Sequence, residues 1–497
     1  MRINFTAPFK GGIHPKAYKS LTNNKAIAKD FWPKAVYLSL QQRNGAMLEP
    51  LVAVGEKVMR GQIVAVGRTA MIAPLHAPVN GIVTDLTDYL TAHPSKVKAK
   101  TIVIRANQDR TWGTTKHKGN IYGHSPEQVI DIIDRAGIVG LGGAGFPTAA
   151  KLKFARQAKV HTLVINGGEC EPYLTCDDLT MQEHAVEVIA GVRLMLMASG
   201  AKKAIVGIED NKALAFERMR SASSEDDNIC VMMVPSIYPM GSERHLIKTV
   251  TGVTIPLGSL STSVGILVNN IATAQAVFHA VAYGHPLVSR IVTVSGKGIE
   301  SAQNVVVPIG TPVRDIIAHC GGVTENTERL VFGGPMMGQV VTSPQVPIDK
   351  TVGGILALSE DEVQPREQQE CIRCGQCVRA CPMGLMPFQM AAQTRQSEFK
   401  QAQQLGVEHC LSCGACSYVC PSSIPLVQYF QHAKGAIKAT ELIAKKSAQA
   451  KALTEARKGR LAAELAVKKA AKAAKAASRK KRARAPRTKS TEEVAND

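Results

Sequence analysis

The chain has 497 residues, which is enough for several domains, since one domain usually takes about 100–200 residues. Hydrophobic residues make up 45% of it, which suffices for packed cores, whereas aromatic residues make up only 4%. The net charge of +20 is uneven, because residues 434–497 hold 19 Lys or Arg and 6 Asp or Glu, a net charge of +13. No apolar run of about 18 residues occurs, so we expect no transmembrane helix. Residues 1–16 also lack the apolar stretch of a secretory signal.

Residues 1–118 are predicted to form a β-rich first domain. Short apolar runs are punctuated by glycine and proline, as in Leu51–Ala65 and Ala77–Val83, a pattern typical of hairpins. The pattern resembles the barrel-sandwich fold of biotinyl and lipoyl carrier domains. Those carriers display a lysine at a hairpin tip, whereas Val66–Ala77 contains none. We therefore expect a structural or docking module and not a swinging arm.

A second domain, predicted over residues 119–290, begins with a helix. Ser125 is its predicted N-cap, and Gln128 completes a capping box. The loop Gly140–Pro147 follows and matches G-x-G-x-x-G, but a helix and not a strand precedes it, so it is no Rossmann fingerprint. Small residues allow backbone amides to approach a phosphate or a flat ring, and the helix after the loop favours an anion at its N-terminus. A plain glycine-rich turn is the alternative interpretation.

Polar segments then follow predicted strands. His161–Ile165 is predicted to be a buried strand that ends at Asn166–Pro172, and Ala204–Ile208 and Val231–Val234 are predicted to be further strands. Ligands of α/β proteins commonly bind at the carboxyl ends of parallel strands. We therefore expect the glycine-rich loop and the polar segments to form one binding site.

Four segments together resemble the flavin- and NADH-binding subunit of respiratory complex I. They are Gly140–Lys151, Asn166–Pro172, the stretch around Tyr238, and Leu267–Thr273. The resemblance implies an α/β domain that binds FMN non-covalently and exchanges a hydride with NADH.

The resemblance also assigns contacts residue by residue. The positions that match FMN contacts are Gly140, Gly142, Gly143, Lys151, Asn166, Glu169, Tyr238, Glu243, Asn269, Asn270 and Thr273. Two positions match dinucleotide contacts, Glu171 and Phe154, and the phenylalanine would offer an aromatic face to the adenine. The chain departs from the family pattern at Leu141, Gly168 and Ser242.

Residues 291–358 are predicted to form a small β-grasp domain. Ile291–Gly296 and Asn304–Gly310 are predicted strands, and Pro312–Cys320 is a predicted short helix. These segments resemble the soluble-ligand-binding β-grasp domain. We interpret residues 346–366 as a polar linker.

The most informative stretch, Cys371–Pro425, lies in a predicted helical domain of residues 359–436. It contains C-x2-C-x2-C-x3-C-P twice, and in such a pair the fourth cysteine of each run ligates the cluster of the other run. We assign one [4Fe–4S] cluster to Cys371, Cys374, Cys377 and Cys420. We assign a second to Cys381, Cys410, Cys413 and Cys416. A pair of zinc sites is the alternative, which would leave the third cysteine of each run unexplained. The insert Pro387–Leu405 is predicted to be a helix.

Residues 437–497 form an Ala/Lys/Arg-rich tail. We interpret it as a solvated, partly helical segment, because almost nothing in it would build a core. Electrostatic adhesion to an anionic membrane surface is the alternative. Nucleic-acid binding is not expected, because the tail has almost no aromatic residues for stacking.

The predicted fold class is an α/β multidomain protein. Its domain order is a barrel-sandwich, a complex-I-like flavin domain, a β-grasp and a two-cluster domain. Over residues 1–435 this order resembles the RnfC family, which comprises the C subunits of the Rnf-type ion-translocating oxidoreductases, in the version called Rsx when it reduces a redox-sensing regulator. The resemblance implies a peripheral electron-input subunit on the cytoplasmic face of the bacterial inner membrane.

The same resemblance implies electron transfer between NADH and ferredoxin, or a redox regulator, coupled to ion translocation. Integral-membrane and iron–sulfur subunits would be its partners. One alternative is a flavin-free or NADH-independent iron–sulfur electron-transfer module. A second is a membrane scaffold whose tail is the functional part.

Overall fold

The computed structural model describes residues 9–42, 45–69, 71–93, 95–113, 119–363 and 366–483. The predicted α/β multidomain fold is confirmed. The described residues of the first domain form the strands β1 Ala35–Ser39, β2 Leu48–Pro50, β3 Lys57–Val58, β4 Ile63–Gly67, β5 Leu75–His76, β6 Gly81–Leu90 and β7 Lys98–Ala106. They form two sheets, one with the order β1-β7-β6-β3 and one with the order β2-β4-β5. Their antiparallel pairing gives the barrel-sandwich.

The flavin domain is built on a parallel sheet with the order β10-β9-β8-β11. Its elements are α1 Pro126–Arg135, α2 Thr148–Gln157, β8 Thr162–Gly167, α3 Cys176–Glu183, α4 Ala185–Ser199, β9 Lys203–Glu209, α5 Ala213–Ala222, β10 Ile229–Val234, α6 Glu243–Thr251, β11 Ile266–Asn270 and α7 Ile271–Tyr283. The predicted capping box at α1 is present, with Ser125 and Gln128 each accepting from the other's backbone amide. One hydrophobic core runs through this domain and the barrel-sandwich.

The β-grasp domain has a five-stranded sheet with the order β13-β12-β16-β14-β15. Its elements are β12 Ser289–Ser295, β13 Gln303–Pro308, α8 Val313–His319, β14 Thr327–Phe332, β15 Gln339–Val340 and β16 Gly354–Ser359. All six residues of β16 are buried in the middle of the sheet. The interpretation of residues 346–366 as a linker is therefore wrong for this stretch, because its short apolar run completes the β-grasp. A one-turn helix, α9 Glu360–Val363, follows.

The cluster domain is helical, with α10 Gln376–Ala380, α11 Pro387–Arg395, α12 Phe399–Gln404, α13 Ala415–Tyr418 and α14 Leu426–Ala483. The insert predicted as one helix forms two, because the chain turns at Ser397, whose φ is 60°. The helix α14 packs its first turns on the domain through Phe430 and Ile437. From 438 to 483 every residue is exposed, so the tail continues the last helix of the cluster domain. None of the helices in the described residues combines the length and the apolar character that a bilayer crossing needs.

Candidate functional site

The carboxyl ends of β8 and β11 bring four of the predicted flavin residues together, Asn166, Asn269, Asn270 and Thr273. The two strands run parallel, and their register pairs Asn166 with Asn270 and Ile165 with Asn269. The glycine-rich loop is attached to the same edge, because the Leu141 amide donates to Thr273 Oγ1 at 3.0 Å. Between β8 and β11 the order in which the chain adds strands to the sheet changes direction. Open α/β sheets bind ligands at such a point.

A half-buried lysine lies beneath this edge. Lys151 Nζ donates to the Val268 carbonyl, one residue before Asn269. Burial lowers the pKa of Lys151, and the nearby Glu243 carboxylate partly opposes that shift. An anion bound here would favour the charged ammonium, so the lysine suits a phosphate at this site.

Two further observations fit a bound flavin. Asn269 Nδ2 is buried and has no hydrogen-bond partner among the described residues, and an unpaired buried donor costs about 1–3 kcal/mol. At Gly143, where φ is 106°, none of the described atoms would lie within 4 Å of an added Cβ. The loop therefore borders open space beside an amide that needs an acceptor, as a cradle for FMN requires.

Several predicted contact residues are engaged within the protein. Glu169 accepts from the amides of Asp177 at 3.0 Å and Asp178 at 3.3 Å, so it caps the N-terminus of α3. Asn166 Nδ2 donates to the Gly241 carbonyl at 2.8 Å. Asn270 Oδ1 accepts from the first amides of α7, and its Nδ2 donates to Asp177 Oδ2 at 2.6 Å. These side chains hold the walls of the site in place.

The two predicted dinucleotide residues differ in accessibility. Phe154 lies on α2 with 47% of its surface exposed, so its ring is available for stacking. Glu171 is half-buried, and its oxygens accept from the amides of Met336 at 3.0 Å and Met337 at 2.9 Å. Burial raises the pKa of Glu171 to about 7. Both of its oxygens are thus engaged by a β-grasp loop, and its contact with a dinucleotide stays a prediction.

The structure adds one residue that the sequence analysis missed. Lys19 is buried, and its Nζ donates to the carbonyls of Glu169 at 2.8 Å, Glu171 at 3.0 Å and Leu174. Burial lowers its pKa, and Lys212 nearby acts in the same direction. Lys19 therefore holds the loop that carries two of the predicted ligand residues, although it lies about 150 residues away in sequence.

The cysteines are gathered into the two crosswise groups that the spacing predicted. The first group, called here the first cluster site, lines one cavity and consists of Cys371, Cys374, Cys377 and Cys420. The second group, the second cluster site, lines another cavity and consists of Cys381, Cys410, Cys413 and Cys416.

The two cysteine runs have the same backbone geometry. Positive φ angles recur at matched positions, Arg373 with Ser412, Gly375 with Gly414, and Gly384 with Ser423. At Gly375 the φ of 71° and at Gly414 the φ of 82° turn the chain between consecutive ligands, a conformation that glycine adopts without steric cost. The repeat in sequence is therefore also a repeat in conformation.

The arrangement of the cysteines suits [4Fe–4S] clusters better than single metal ions. In the described part of the chain, no three His, Cys, Asp or Glu side chains are placed to hold one metal ion. A zinc ion binds each cysteine sulfur directly at about 2.3 Å and so draws the four sulfurs close together. A [4Fe–4S] cluster binds one cysteine sulfur at each iron and so keeps the four sulfurs further apart. Burial raises the pKa of Cys413 to about 11 and of Cys416 to about 12, so these thiols lose their protons when iron binds.

The surroundings of the two sites differ. Cys371 and Cys374 of the first site are exposed, whereas Cys413 and Cys416 of the second site are buried. The second site packs against the flavin domain, because Tyr238 donates its hydroxyl to the Cys413 carbonyl at 2.6 Å. Tyr238 thus links the two domains.

Comparisons with known proteins agree with this architecture. Family models match four segments, described as the RnfC Barrel sandwich hybrid domain over residues 7–109, the Nuo51 FMN-binding domain over 133–279, the SLBB domain over 291–340 and the 4Fe-4S dicluster domain over 370–424. A relative from Rhodobacter capsulatus, named as the C subunit of an ion-translocating oxidoreductase complex, is 46% identical over 427 residues, which span 86% of this chain and 82% of the relative. The chain belongs to this RnfC family.

A second member of the RnfC family, from Actinobacillus succinogenes, is 40% identical over 457 residues, or 92% of this chain and 65% of that protein. Among solved structures, an NAD+-reducing [NiFe]-hydrogenase in the H2-reduced state is 20% identical, with a TM-score of 0.45 over 59% of this chain and 60% of the other.

Family membership confirms the predicted cofactor classes. The chain is an oxidoreductase subunit with an FMN-binding domain and a domain for two [4Fe–4S] clusters. The name that its relatives carry makes it one subunit of a larger complex. Which residues hold the cofactors stays a prediction.

Proposed function

We propose that this chain carries electrons between NADH and the other subunits of its complex, with the flavin domain as the entry and the first cluster site as the exit. The supporting observation is the asymmetry of the cluster domain. The second site is buried against the flavin domain through Tyr238 and Cys413, and the first site has two exposed cysteines. This asymmetry supports an order of carriers in which the second site lies beside the flavin domain and the first site faces a partner subunit.

The cofactors supply the redox chemistry, since a flavin exchanges a hydride with NADH and releases electrons singly to iron–sulfur clusters. The residues of the chain bind and position them. Lys151 and the glycine-rich loop are assigned to the flavin phosphate, and the Asn269 amide is assigned to a flavin acceptor atom. The eight cysteines of the two sites are the assigned cluster ligands, and no general base is required.

A β-grasp loop completes the interface between entry and exit. The segment Gly333–Gly338 touches Glu171 on one side, and the Met336 carbonyl would lie 2.8 Å from a Cβ at Gly414 on the other. This contact supports a role for the β-grasp domain in fixing the distance between the flavin and the second cluster.

The proposal includes the family's wider reaction, in which electrons move between NADH and ferredoxin, or a redox regulator, and drive ion movement. Ion movement belongs to the integral-membrane partners, to which iron–sulfur partner subunits connect this chain. The chain itself would be a peripheral subunit at the cytoplasmic face of the inner membrane.

The test uses anaerobically purified chain loaded with FMN and iron. Adding NADH should bleach the flavin absorbance at about 450 nm, and rapid-freeze EPR should then detect a reduced cluster. Absence of bleaching would favour the alternative of an NADH-independent iron–sulfur module. Bleaching without any cluster signal would contradict the proposed path.

The tail supports a second contact, with an anionic membrane surface. Between Lys438 and Ala483, 15 Lys or Arg stand against 3 Asp or Glu, and every residue in that stretch is exposed. Basic residues near anionic lipid contribute about 1 kcal/mol each. Binding to vesicles with and without phosphatidylserine tests this contact, and equal binding to both would reject it.

A further inference from the structure

The segment of residues 9–21, called here the N-terminal strap, lies across the flavin domain. The Phe9 ring packs against His245 of α6, with ring centroids 4.4 Å apart. Ile13 and Tyr238 exchange two backbone hydrogen bonds, each 2.9 Å long. The strap is therefore fixed by its main chain to the same tyrosine that bonds the Cys413 carbonyl.

The strap also touches the second cluster site directly. The Gly12 amide donates to the Ala380 carbonyl at 3.0 Å. At Gly11 an added Cβ would lie 2.5 Å from the carbonyl oxygen of Cys381, one of the four cysteines of that site. Gly11 has a φ of 79° and Gly12 a φ of 85°, and only glycine takes such angles while allowing so close an approach.

The C-terminal end of the strap contacts the loop that borders the flavin site. Lys19 donates to the carbonyls of Glu169 and Glu171, which lie on the loop after β8. Thr22, just beyond the strap, bonds Thr175 of the same region through their hydroxyls at 2.7 Å. One short segment thus contacts the flavin loop and the backbone of a cluster ligand.

We propose that Gly11 and Gly12 are positioning residues that set the distance between the flavin and the second cluster, by seating the Cys381 backbone against the strap. The proposal deepens the electron path proposed above and rests on it. Two domains that are joined only through side chains can shift relative to each other. The main-chain bonds of the strap to Ala380 and Tyr238 remove that freedom.

The test compares Gly11→Ala with Gly258→Ala in the chain loaded with FMN and iron. Gly258 has a φ of 77°, and none of the described atoms would lie within 4 Å of its added Cβ, so both variants carry the same backbone strain. Only Gly11→Ala displaces Cys381, because the distance between the added Cβ and the Cys381 carbonyl oxygen must increase from 2.5 Å to at least about 3.0 Å.

We expect Gly11→Ala to keep its flavin, its iron and its rate of bleaching by NADH. The second cluster should be reduced measurably more slowly after the flavin, because electron transfer slows as the distance between two carriers grows. Its EPR lines should also change. Hydrogen exchange at the Gly12 and Ile13 amides should rise, a readout that needs no turnover. Gly258→Ala should match the parent in every measurement.

A third variant separates contact from strain. Asparagine tolerates positive φ better than alanine but carries the same Cβ, so Gly11→Asn should also slow cluster reduction. Rescue by asparagine would assign the effect to strain and overturn the proposal, as would a Gly11→Ala protein with the parent's rate and EPR spectrum.

If Gly11→Ala loses iron, Gly12→Ala takes its place as the test variant, since the added Cβ at Gly12 would lie 2.7 Å from the Ile237 side chain. A parent rate and spectrum in that variant would likewise overturn the proposal. A parent chain that bleaches but reduces no cluster would instead contradict the electron path.

Discussion

The two cluster sites share one cysteine spacing and one backbone conformation, but they lie in different surroundings. The first site has two exposed cysteines, and Ile372 beside them is 69% exposed. The second site is enclosed by the flavin domain, the β-grasp loop and the N-terminal strap. A repeated motif therefore supplies two equivalent carriers, and the neighbouring domains make them unequal. Exposure and hydrogen bonds to the sulfurs are among the factors that set cluster potentials, so we expect the two sites to differ in redox behaviour as well.

Removing one cysteine ligand from each site is the strongest test of the difference between the two sites. We expect Cys374→Ala to lose the first cluster, to keep FMN, and still to reduce the second cluster from NADH. We expect Cys413→Ala to lose the second cluster and to stop reduction of the first by flavin. Iron analysis and EPR after NADH addition measure both outcomes. A Cys374→Ala protein with the full complement of about eight iron atoms per chain would contradict the crosswise ligand assignment.

The flavin side of the path is tested at Lys151. We expect Lys151→Ala to weaken FMN binding about tenfold or more, since it removes the half-buried cation assigned to the phosphate. The matched control is Lys153→Ala, because Lys153 lies on the same helix and forms a half-exposed ion pair with Asp134. Equilibrium dialysis of FMN measures both. Equal flavin retention in Lys151→Ala and the parent would count against the cradle.

The link between the flavin domain and the second site is tested by Tyr238→Phe. The change leaves the Cys413 carbonyl without its hydroxyl donor and should cost about 1–3 kcal/mol of unfolding free energy. The EPR spectrum of the second cluster should change and that of the first should not. Tyr173→Phe is the control, since that hydroxyl bonds Glu362 in the β-grasp domain. Identical spectra in Tyr238→Phe and the parent would show that this bond does not position the site.

The smallest expected effect on electron transfer comes from the tail. Truncation after Thr440 should leave flavin, iron and cluster reduction unchanged, because residues 438–483 contact no core of the described chain. Binding to anionic vesicles should fall strongly and should already be weak at high salt in the parent. If truncation abolishes cluster reduction in the purified chain, the tail takes part in the redox domain and the membrane-contact proposal is incomplete.

The sequence predicted the site chemistry better than the spatial order of the parts. The cysteine spacing alone predicted that Cys420 and Cys371 lie at one site, because short fixed spacings restrict which sulfurs can reach the same [4Fe–4S] cluster. The strand β16 was missed, since a short apolar run next to acidic residues resembles a linker until its sheet neighbours are known. Lys19 and the strap were missed for the same reason. Their partners lie about 150 residues or more away, and no local pattern reports such contacts.

The root of α14 has a consequence for the whole molecule. Leu426 borders the first cluster cavity, and Val427 and Phe430 border the second. From there the helix extends through 46 exposed residues, an arm of about 70 Å at about 1.5 Å per residue. The helix that carries this exposed basic arm is therefore the same helix whose first turn lines both cluster cavities.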